Sequence, residues 1–423
     1  MPVILYLVLS FDYLLLIPIG ESPDEPGHIQ CLEQVAIANR LPRVEPPPQG
    51  ERWFSRGRII SGRMCYHMPL YYVLGGWVER ATAVLTGTPL PYEFPANNPL
   101  FPGRSAAMFV PQTTRQPTPI LALRLFSILL GLATLWATYI LARRLFPESD
   151  MIAILAMLIV AGWPQLVFMS RAINNDVLAT AFSVLLLGVL AANQRPQRFV
   201  LAAVLSALAL LTKLTVFFTI GAVILIWLWE FITSPQQRSA YLRVLTVCLF
   251  IWFGVGLLLF LHPVLNEHLR NGTSRLTPLP ETVRHLNYWN EVFVETLNSG
   301  WARFGWMNIF APDWHAYLWW GLVAMMAGLG IRYITAVSSV RLLIFIWLIG
   351  VGLTYIRINL TIFQPQFRFA FATLPIIAAL AAGGAWHTSQ AHKHPWLPIS
   401  LLSFFWLFYN IWLLLFVIKP VYQ

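Results

Sequence analysis

Six short polar clusters interrupt an otherwise apolar sequence, and each contains residue types that can do chemistry. The first is Glu21-Ser-Pro-Asp24-Glu25-Pro-Gly-His28, directly after an N-terminal apolar run. Adjacent acids before a helix entry make a rigid carboxylate site, although Asp24 or Glu25 followed by Pro26 also suits a helix N-cap. The second, Tyr66-His67-Met-Pro69-Leu-Tyr71-Tyr72, offers an imidazole and phenols, or an aromatic belt at a membrane interface. The third, Arg171-Ala-Ile-Asn174-Asn175-Asp176, carries two amides and an acid able to bond hydroxyl groups or a cation. It reads equally as a tight turn in which Asn175 or Asp176 caps the next helix. Lys213, inside the apolar run LALLTKLT, is a lone cation among apolar helices and wants an anion unless it snorkels. Gly300-Trp-Ala-Arg303-Phe-Gly305-Trp306 and Gln364-Pro-Gln366-Phe-Arg368 complete the set. Their guanidinium groups present a planar fork that grips phosphate with two prongs.

These residues need a frame, and the composition says which kind. Apolar residues make up 57% of the 423 positions and charged ones 11%, against about 25% charged in a soluble domain. Runs of roughly 18–22 apolar residues are long enough to cross a bilayer core of about 30 Å. The expected fold is therefore all-α and polytopic, one transmembrane domain over 1–423. Eleven spans are predicted near 3–19, 120–142, 151–169, 177–193, 199–212, 215–232, 244–264, 314–331, 342–356, 369–386 and 397–418. The apolar stretch 199–232 is too long for one span and is divided at Lys213. The N-terminal run lacks the basic flank and small-residue site of a cleavable signal, and Asp12 within it is expected to face protein rather than lipid.

Short connections on one side are basic: Arg143 and Arg144, Arg195 and Arg198, Arg238 and Arg243, Arg332 and Arg341, and Lys393. Short loops decide orientation, so the N-terminus is expected in the cytoplasm. The loops 20–119 and 265–313 then lie outside a cell membrane. Residues 28–40 and 66–85 have apolar faces at helical spacing and are expected as surface helices. The segment PRVEPPPQGER (42–52) and residues 87–119 read as irregular loop. Cys31 and Cys65 share the first loop; its expected oxidising side permits a disulfide, and nothing in the spacing requires one. Cys248 reads as a packing residue, and the acceptor-like Asn271-Gly-Thr273 as a turn. The formal charge of +10 is nearly all arginine and forms no soluble basic module, so nucleic acid is not an expected partner. Asp24, Glu25, His28 and His67 together can ligate a divalent metal ion, but their spacing fits no tight zinc pattern.

All six clusters map to one side of this topology, and their order carries a resemblance. The motifs SPDE (22–25), HMPLYY (67–72), NND (174–176), LTK (211–213), GWARFGW (300–306) and QPQFRF (364–369) resemble those of the GT-C superfamily of membrane glycosyltransferases. That superfamily includes the protein O-mannosyltransferases and the aminoarabinose transferases of lipid A. Met68 stands where proline is common, and Phe367 where glycine is common. The resemblance runs from residue 1 to about 386. It implies a sugar donor carried on polyprenyl phosphate and an acceptor glycan, lipid or protein entering from the extracytoplasmic side. It also implies Asp24 as the base that deprotonates or orients the acceptor hydroxyl, with Glu25 as helper or metal ligand. Lys213, Arg303 and Arg368 are expected to hold the donor phosphate, and His67, Tyr71, Asn175 and Asp176 to contact substrate. Two rivals compete: a lipid-linked substrate transporter or flippase, with polar groups at the membrane midplane, and a non-catalytic structural subunit of a membrane complex. The enzyme reading requires the carboxylates and the scattered cations to converge in one pocket.

Overall fold

A computed structural model describes residues 1–43, 54–55, 58–59, 63–91, 117–192, 195–274, 281–389, 394 and 396–422. The chain begins with α1 (Pro2–Leu16), and the first long loop carries α2 (Glu25–Ala38) and α3 (Leu70–Thr86). A helical series follows: α4 (Thr118–Leu145), α5 (Asp150–Ala161), α6 (Pro164–Ser170), α7 (Asn175–Ala191), α8 (Arg198–Thr212), α9 (Phe218–Thr233) and α10 (Arg238–Leu261). The second long loop holds α11 (Pro263–Ser274) and α12 (Leu286–Trp301). The last helices are α13 (Asp313–Ile331), α14 (Ser338–Thr361), α15 (Leu374–Thr388), α16 (Trp396–Trp412) and α17 (Lys419–Tyr422), the last two joined by a π-helical turn. Among the described residues the strands are two short antiparallel ribbons: Phe54–Ser55 with Arg58–Ile59, and Arg303–Phe304 with Ile309–Phe310.

Each of the eleven apolar runs falls on a helix, yet not every one is long enough to cross a membrane. Six helical stretches among the described residues meet the length and apolarity of a span, or seven if α5 and α6, bent by 66°, are taken as one. Helices α1, α7 and α8 have 15, 17 and 15 residues. At 1.5 Å per residue they reach roughly 22–26 Å, short of a core of about 30 Å. In α13, aromatic residues, His315 and glycines dilute the apolarity. The expected count of eleven is thus not established; a multi-pass membrane chain is. The break at Lys213 is real: α8 stops at Thr212, Lys213 is extended, and a 3-10 turn (Leu214–Val216) precedes α9.

The span at Phe367–Thr388 is the most enclosed, with 83% of its apolar window buried, whereas Pro235–Leu261 has 17%. Helix α15, within the former, packs on α13, α5 and α4. Glycines permit the closest crossing: a Cβ at Gly384 would stand 1.9 Å from the Met326 carbonyl oxygen, and one at Gly330 2.0 Å from that of Leu380. Small residues allow such backbone contact where lipid supplies no hydrophobic drive between helices.

Helices α2 and α3 pair, and a Cys31–Cys65 disulfide with Cα atoms 5.4 Å apart ties α2 to the 3-10 turn (Arg63–Tyr66) before α3. The spacing left that pairing open, and the fold closes it. Residues 44–53, 92–116 and Lys393 lie outside the described residues, as do the side chains of Asn271 and Thr273.

Candidate active site

Three helix ends and the 3-10 turn Phe367–Thr373 meet at a cluster of two carboxylates and two cations. Asp24 heads α2 with φ 65°, in the left-handed region that Asp tolerates better than most residues. Its side chain makes no cap hydrogen bond and is left for other work. Arg368, in the 3-10 turn Phe367–Thr373, donates from Nη2 to Asp24 Oδ2 at 2.7 Å. Its Nη1 stands 3.7 Å from Asp176 Oδ2. Lys213, at the α8–α9 break, donates from Nζ to Asp176 Oδ1. Both cations also lie over the Phe369 ring, 4.9 Å for Lys213 and 5.1 Å for Arg368. Asp24, Asp176, Lys213 and Arg368 therefore sum to zero charge.

The cluster is graded in exposure. The Asp24 side chain is 26% exposed, whereas those of Arg368, Lys213 and Asp176 are 3%, 7% and 9%. Burial alone would raise the Asp24 carboxyl, but the Arg368 guanidinium beside it holds it below the ordinary carboxylate range. Some donors and acceptors here remain unused among the described residues: Arg368 Nε and Nη1, and both amide atoms of buried Asn175, have no hydrogen-bond partner. A narrow cleft, with room for about one water, adjoins Asp176 and Asn174 and is walled by Thr134, Thr180 and Phe371. Asn174 is the cap of α7, accepting from the Val177 N–H at 3.1 Å, where the sequence pointed to Asn175 or Asp176.

His28 links this cluster to the second motif. Its Nδ1 is 2.9 Å from the Tyr72 hydroxyl, which donates to the Met64 carbonyl. Burial pushes His28 down to about 4, against the pull of Asp24 and Asp176, so it is neutral at physiological pH. His67 stacks on His28 at 5.9 Å and lies tilted against Tyr66 at 4.0 Å, and Tyr71 meets His28 edge-on at 6.4 Å. Both predicted contacts thus flank the Asp24 side of the cluster through an imidazole.

Glu25 is in a different situation from its neighbour. Arg124 grips it with two prongs, Nε to Oε1 at 3.0 Å and Nη2 to Oε2 at 2.8 Å. The backbone N–H groups of Gly20 and Ile173 donate to the same oxygens. Arg124 spends its remaining donors on the carbonyls of Ile17 and Pro18. Both side chains are fully buried, and the arrangement fastens the end of α1, the start of α2, α4 and the α6–α7 turn together. This placement corrects the expectation of Glu25 as helper or metal ligand: its lone pairs are occupied. Arg124 was missed, although an arginine inside the predicted span 120–142 is a signal in itself.

Arg303 also departs from expectation. It pairs with Glu295 at 3.4 Å and Asp313 at 3.5 Å and lies 4.3 Å from the Phe310 ring centroid, with no contact to Asp24, Asp176, Lys213 or Arg368. Arg357 is exposed on α14. As for a metal, no group of three or more His, Cys, Asp or Glu among the described residues is placed to hold one. Each carboxylate at the centre already faces a cation, so the residues present do not fit a divalent ion, and no step below passes through one.

Comparison with known proteins fits this geometry. The sequence profile described as dolichyl-phosphate-mannose-protein mannosyltransferase matches residues 118–256, about a third of the chain. No curated protein matches in sequence. Among solved structures, ArnT from Cupriavidus metallidurans bound to undecaprenyl phosphate superposes with a TM-score of 0.55 at 13% identity, covering 100% of this chain and 73% of ArnT. The archaeal oligosaccharyltransferase AglB from Archaeoglobus fulgidus, in complex with an inhibitory peptide and a dolichol-phosphate, gives a TM-score of 0.52 at 13% identity. Here the coverage is 100% of this chain and 55% of AglB, so the present chain spans about half the length of that enzyme. The motif order read from the sequence and the architecture agree: the chain has the GT-C fold of membrane glycosyltransferases.

Proposed function

We propose that this protein transfers a sugar from a polyprenyl-phosphate donor to an acceptor hydroxyl, with Asp24 as base and Arg368 and Lys213 as the phosphate seat. The observation that carries this reading is the Asp24–Arg368 pair at 2.7 Å beside the Asp176–Lys213 pair. It joins a partly exposed carboxylate to cations fit for phosphate, in a fold whose solved examples hold undecaprenyl or dolichol phosphate.

In the chain alone the carboxylates neutralise the cations. A donor phosphate competes for Arg368 and Lys213, and its capture loosens Asp24. With its cation drawn to phosphate, burial dominates and the Asp24 carboxylate becomes a stronger base. The acceptor O–H then gives its proton to Asp24 as its oxygen bonds to the sugar's anomeric carbon. The bond from that carbon to the phosphate oxygen breaks, and its electron pair leaves on the phosphate. Arg368 and Lys213 stabilise the charge that grows there. A single displacement of this kind inverts the anomeric carbon. In this reading His67, Tyr71 and Asn175 orient the substrates, and Asp176 holds Lys213 in place.

The same reading puts the cluster on the outer side of the cell membrane. The short basic connections on the opposite side and the disulfide in the first long loop both support that orientation. The test is full-length protein in vesicles supplied with a radiolabelled polyprenyl-phosphate sugar and an envelope extract as acceptor. Label moving to acceptor, with polyprenyl phosphate released, is the expected result. Label entering the vesicles unchanged makes the protein a transporter, and neither outcome makes it a structural subunit.

A further inference from the structure

The turn that carries Asp24 is held from a part of the chain that lies beyond all six motifs. Helices α16 and α17 follow the point at which the motif resemblance ends. At the end of α17 the Tyr422 hydroxyl donates to Glu21 Oε2 at 3.2 Å, across 401 positions of sequence. Tyr422 is buried, and Glu21, three positions before Asp24, is fully so.

Two features fix where that phenol stands. Midway along α16, Asn410 accepts from the Tyr13 hydroxyl at 3.1 Å and donates to the Gly162 carbonyl at 3.0 Å. These bonds pin the helix to α1 and to the α5–α6 bend. Between Asn410 and Tyr422 comes the π-helical turn Leu413–Ile418. Such a turn takes in an extra residue, and each extra residue swings the following face by about 100° about the axis. With Asn410 pinned, that rotation sets the direction in which Tyr422 points.

The charges around Glu21 explain why a directed bond matters there. Glu21, Glu25, Arg124 and Arg171 are fully buried, and their charges sum to zero. Arg171 lies in the field of both carboxylates and of Arg124. Among the described residues its Nε, Nη1 and Nη2 have no hydrogen-bond partner. Charge attraction without directed bonds leaves a carboxylate's orientation loose, and the Tyr422 hydroxyl supplies a directed one. Further anchors grip the backbone just before: Arg124 takes the carbonyls of Ile17 and Pro18, and Trp306 Nε1 donates to the Gly20 carbonyl at 2.9 Å. Of the anchors that precede Asp24, the Tyr422 contact is the closest to it in sequence. Asp24 makes no cap hydrogen bond of its own. Once phosphate draws Arg368 away, the direction of its carboxylate depends on how this turn is held.

We propose that Tyr422 is a positioning residue for the transfer: through Glu21 its phenol holds the Gly20–Asp24 turn so that the Asp24 carboxylate meets the acceptor hydroxyl. The inference deepens the function proposed above and rests on it.

The test is a double-mutant cycle on full-length protein in vesicles, with the labelled polyprenyl-phosphate sugar and envelope extract. Tyr422→Phe keeps the ring and removes the bond. The initial rate at saturating donor is expected to fall about tenfold, less than the roughly 10²-fold that a 1 Å misplacement can cost. Undecaprenyl phosphate affinity should stay within about twofold of native, because Arg368 and Lys213 are untouched. In the Asp24→Asn background the same change should lower the residual rate by less than about twofold, since no base is left to aim. A native rate in Tyr422→Phe overturns the inference. An equal fold-loss in both backgrounds, or an unfolding midpoint lowered as far as in Glu25→Gln, makes the contact structural and overturns it too. No transfer by the native protein, or a native rate in Asp24→Asn alone, overturns the proposed function and the inference with it.

Discussion

Replacing Asp24 by Asn separates catalysis from binding. The amide matches the carboxylate in shape, Asn tolerates the left-handed φ of 65°, and the native side chain makes no cap hydrogen bond that the change would remove. Arg368 keeps Asp176 at 3.7 Å, although the cluster then carries a net charge of +1 on one shared carboxylate. The fold is therefore expected to survive. Loss of a general base slows transfer by about 10²–10⁴-fold, equivalent to roughly 2.7–5.5 kcal/mol in the barrier. Donor binding moves the other way. In the native protein the phosphate must displace a charge-assisted hydrogen bond from Asp24 to Arg368, worth about 1.5–3 kcal/mol. Asp24 is partly exposed, which argues for the lower figure and a polyprenyl-phosphate affinity raised about tenfold in the variant. The assay pairs the initial rate of sugar transfer with a binding titration of undecaprenyl phosphate on the same preparation. Transfer within about threefold of the native rate refutes the base assignment. A fall in binding together with rate and thermal stability would make Asp24 a structural residue.

Other consequences follow from the same contacts. Glu25→Gln leaves Arg124 buried without its counter-ion and is expected to cost roughly 3–5 kcal/mol, seen as a large drop in the unfolding midpoint where Asp24→Asn shows little. Opening the Cys31–Cys65 link, which spans 34 residues, removes up to about 4 kcal/mol by loop-closure entropy; Cys65→Ser with and without reductant checks this through the unfolding midpoint of the full chain. His28 is held at about 4 by burial, so the unfolded chain takes up a proton first and stability falls as pH drops from about 6.5 to 4. His28→Gln should lessen that slope in a pH series of unfolding midpoints. Glu79 on α3 behaves oppositely: burial, then Glu33, push it up to about 9. It folds protonated, stability falls as pH rises from about 4.5 to 9, and Glu79→Gln should flatten that limb.

The sequence revealed the cast of the site better than its arrangement. Lys213 was legible because a lone lysine in an apolar run demands an anion, and Asp176 answers it. The convergence of Asp24 and Arg368, 344 residues apart, was expected from one-sided topology and motif order. What stayed hidden was which acid is free. Asp24 and Glu25 are neighbours of similar chemistry, and their division of labour is set by Arg124 and the Gly20 and Ile173 amides, which only the packing brings near. Arg303 sat in a motif beside the others, yet Glu295 and Asp313 claim it. The span number is not established, for a geometric reason: apolarity marks a segment as buried in lipid or protein, whereas crossing needs length, and α1, α7 and α8 are short.

Two acid–cation pairs in mutual contact, with the most exposed member a carboxylate, are a seat that phosphate can take over while freeing a base. The most direct measurement is the affinity for undecaprenyl phosphate of the native chain, Lys213→Met and Arg368→Gln in one membrane mimetic. Each substitution removes a charge-assisted contact and should weaken binding by about 10–100-fold. Affinities within about threefold of the native value in both variants would mean that the lipid phosphate sits elsewhere and would contradict the account.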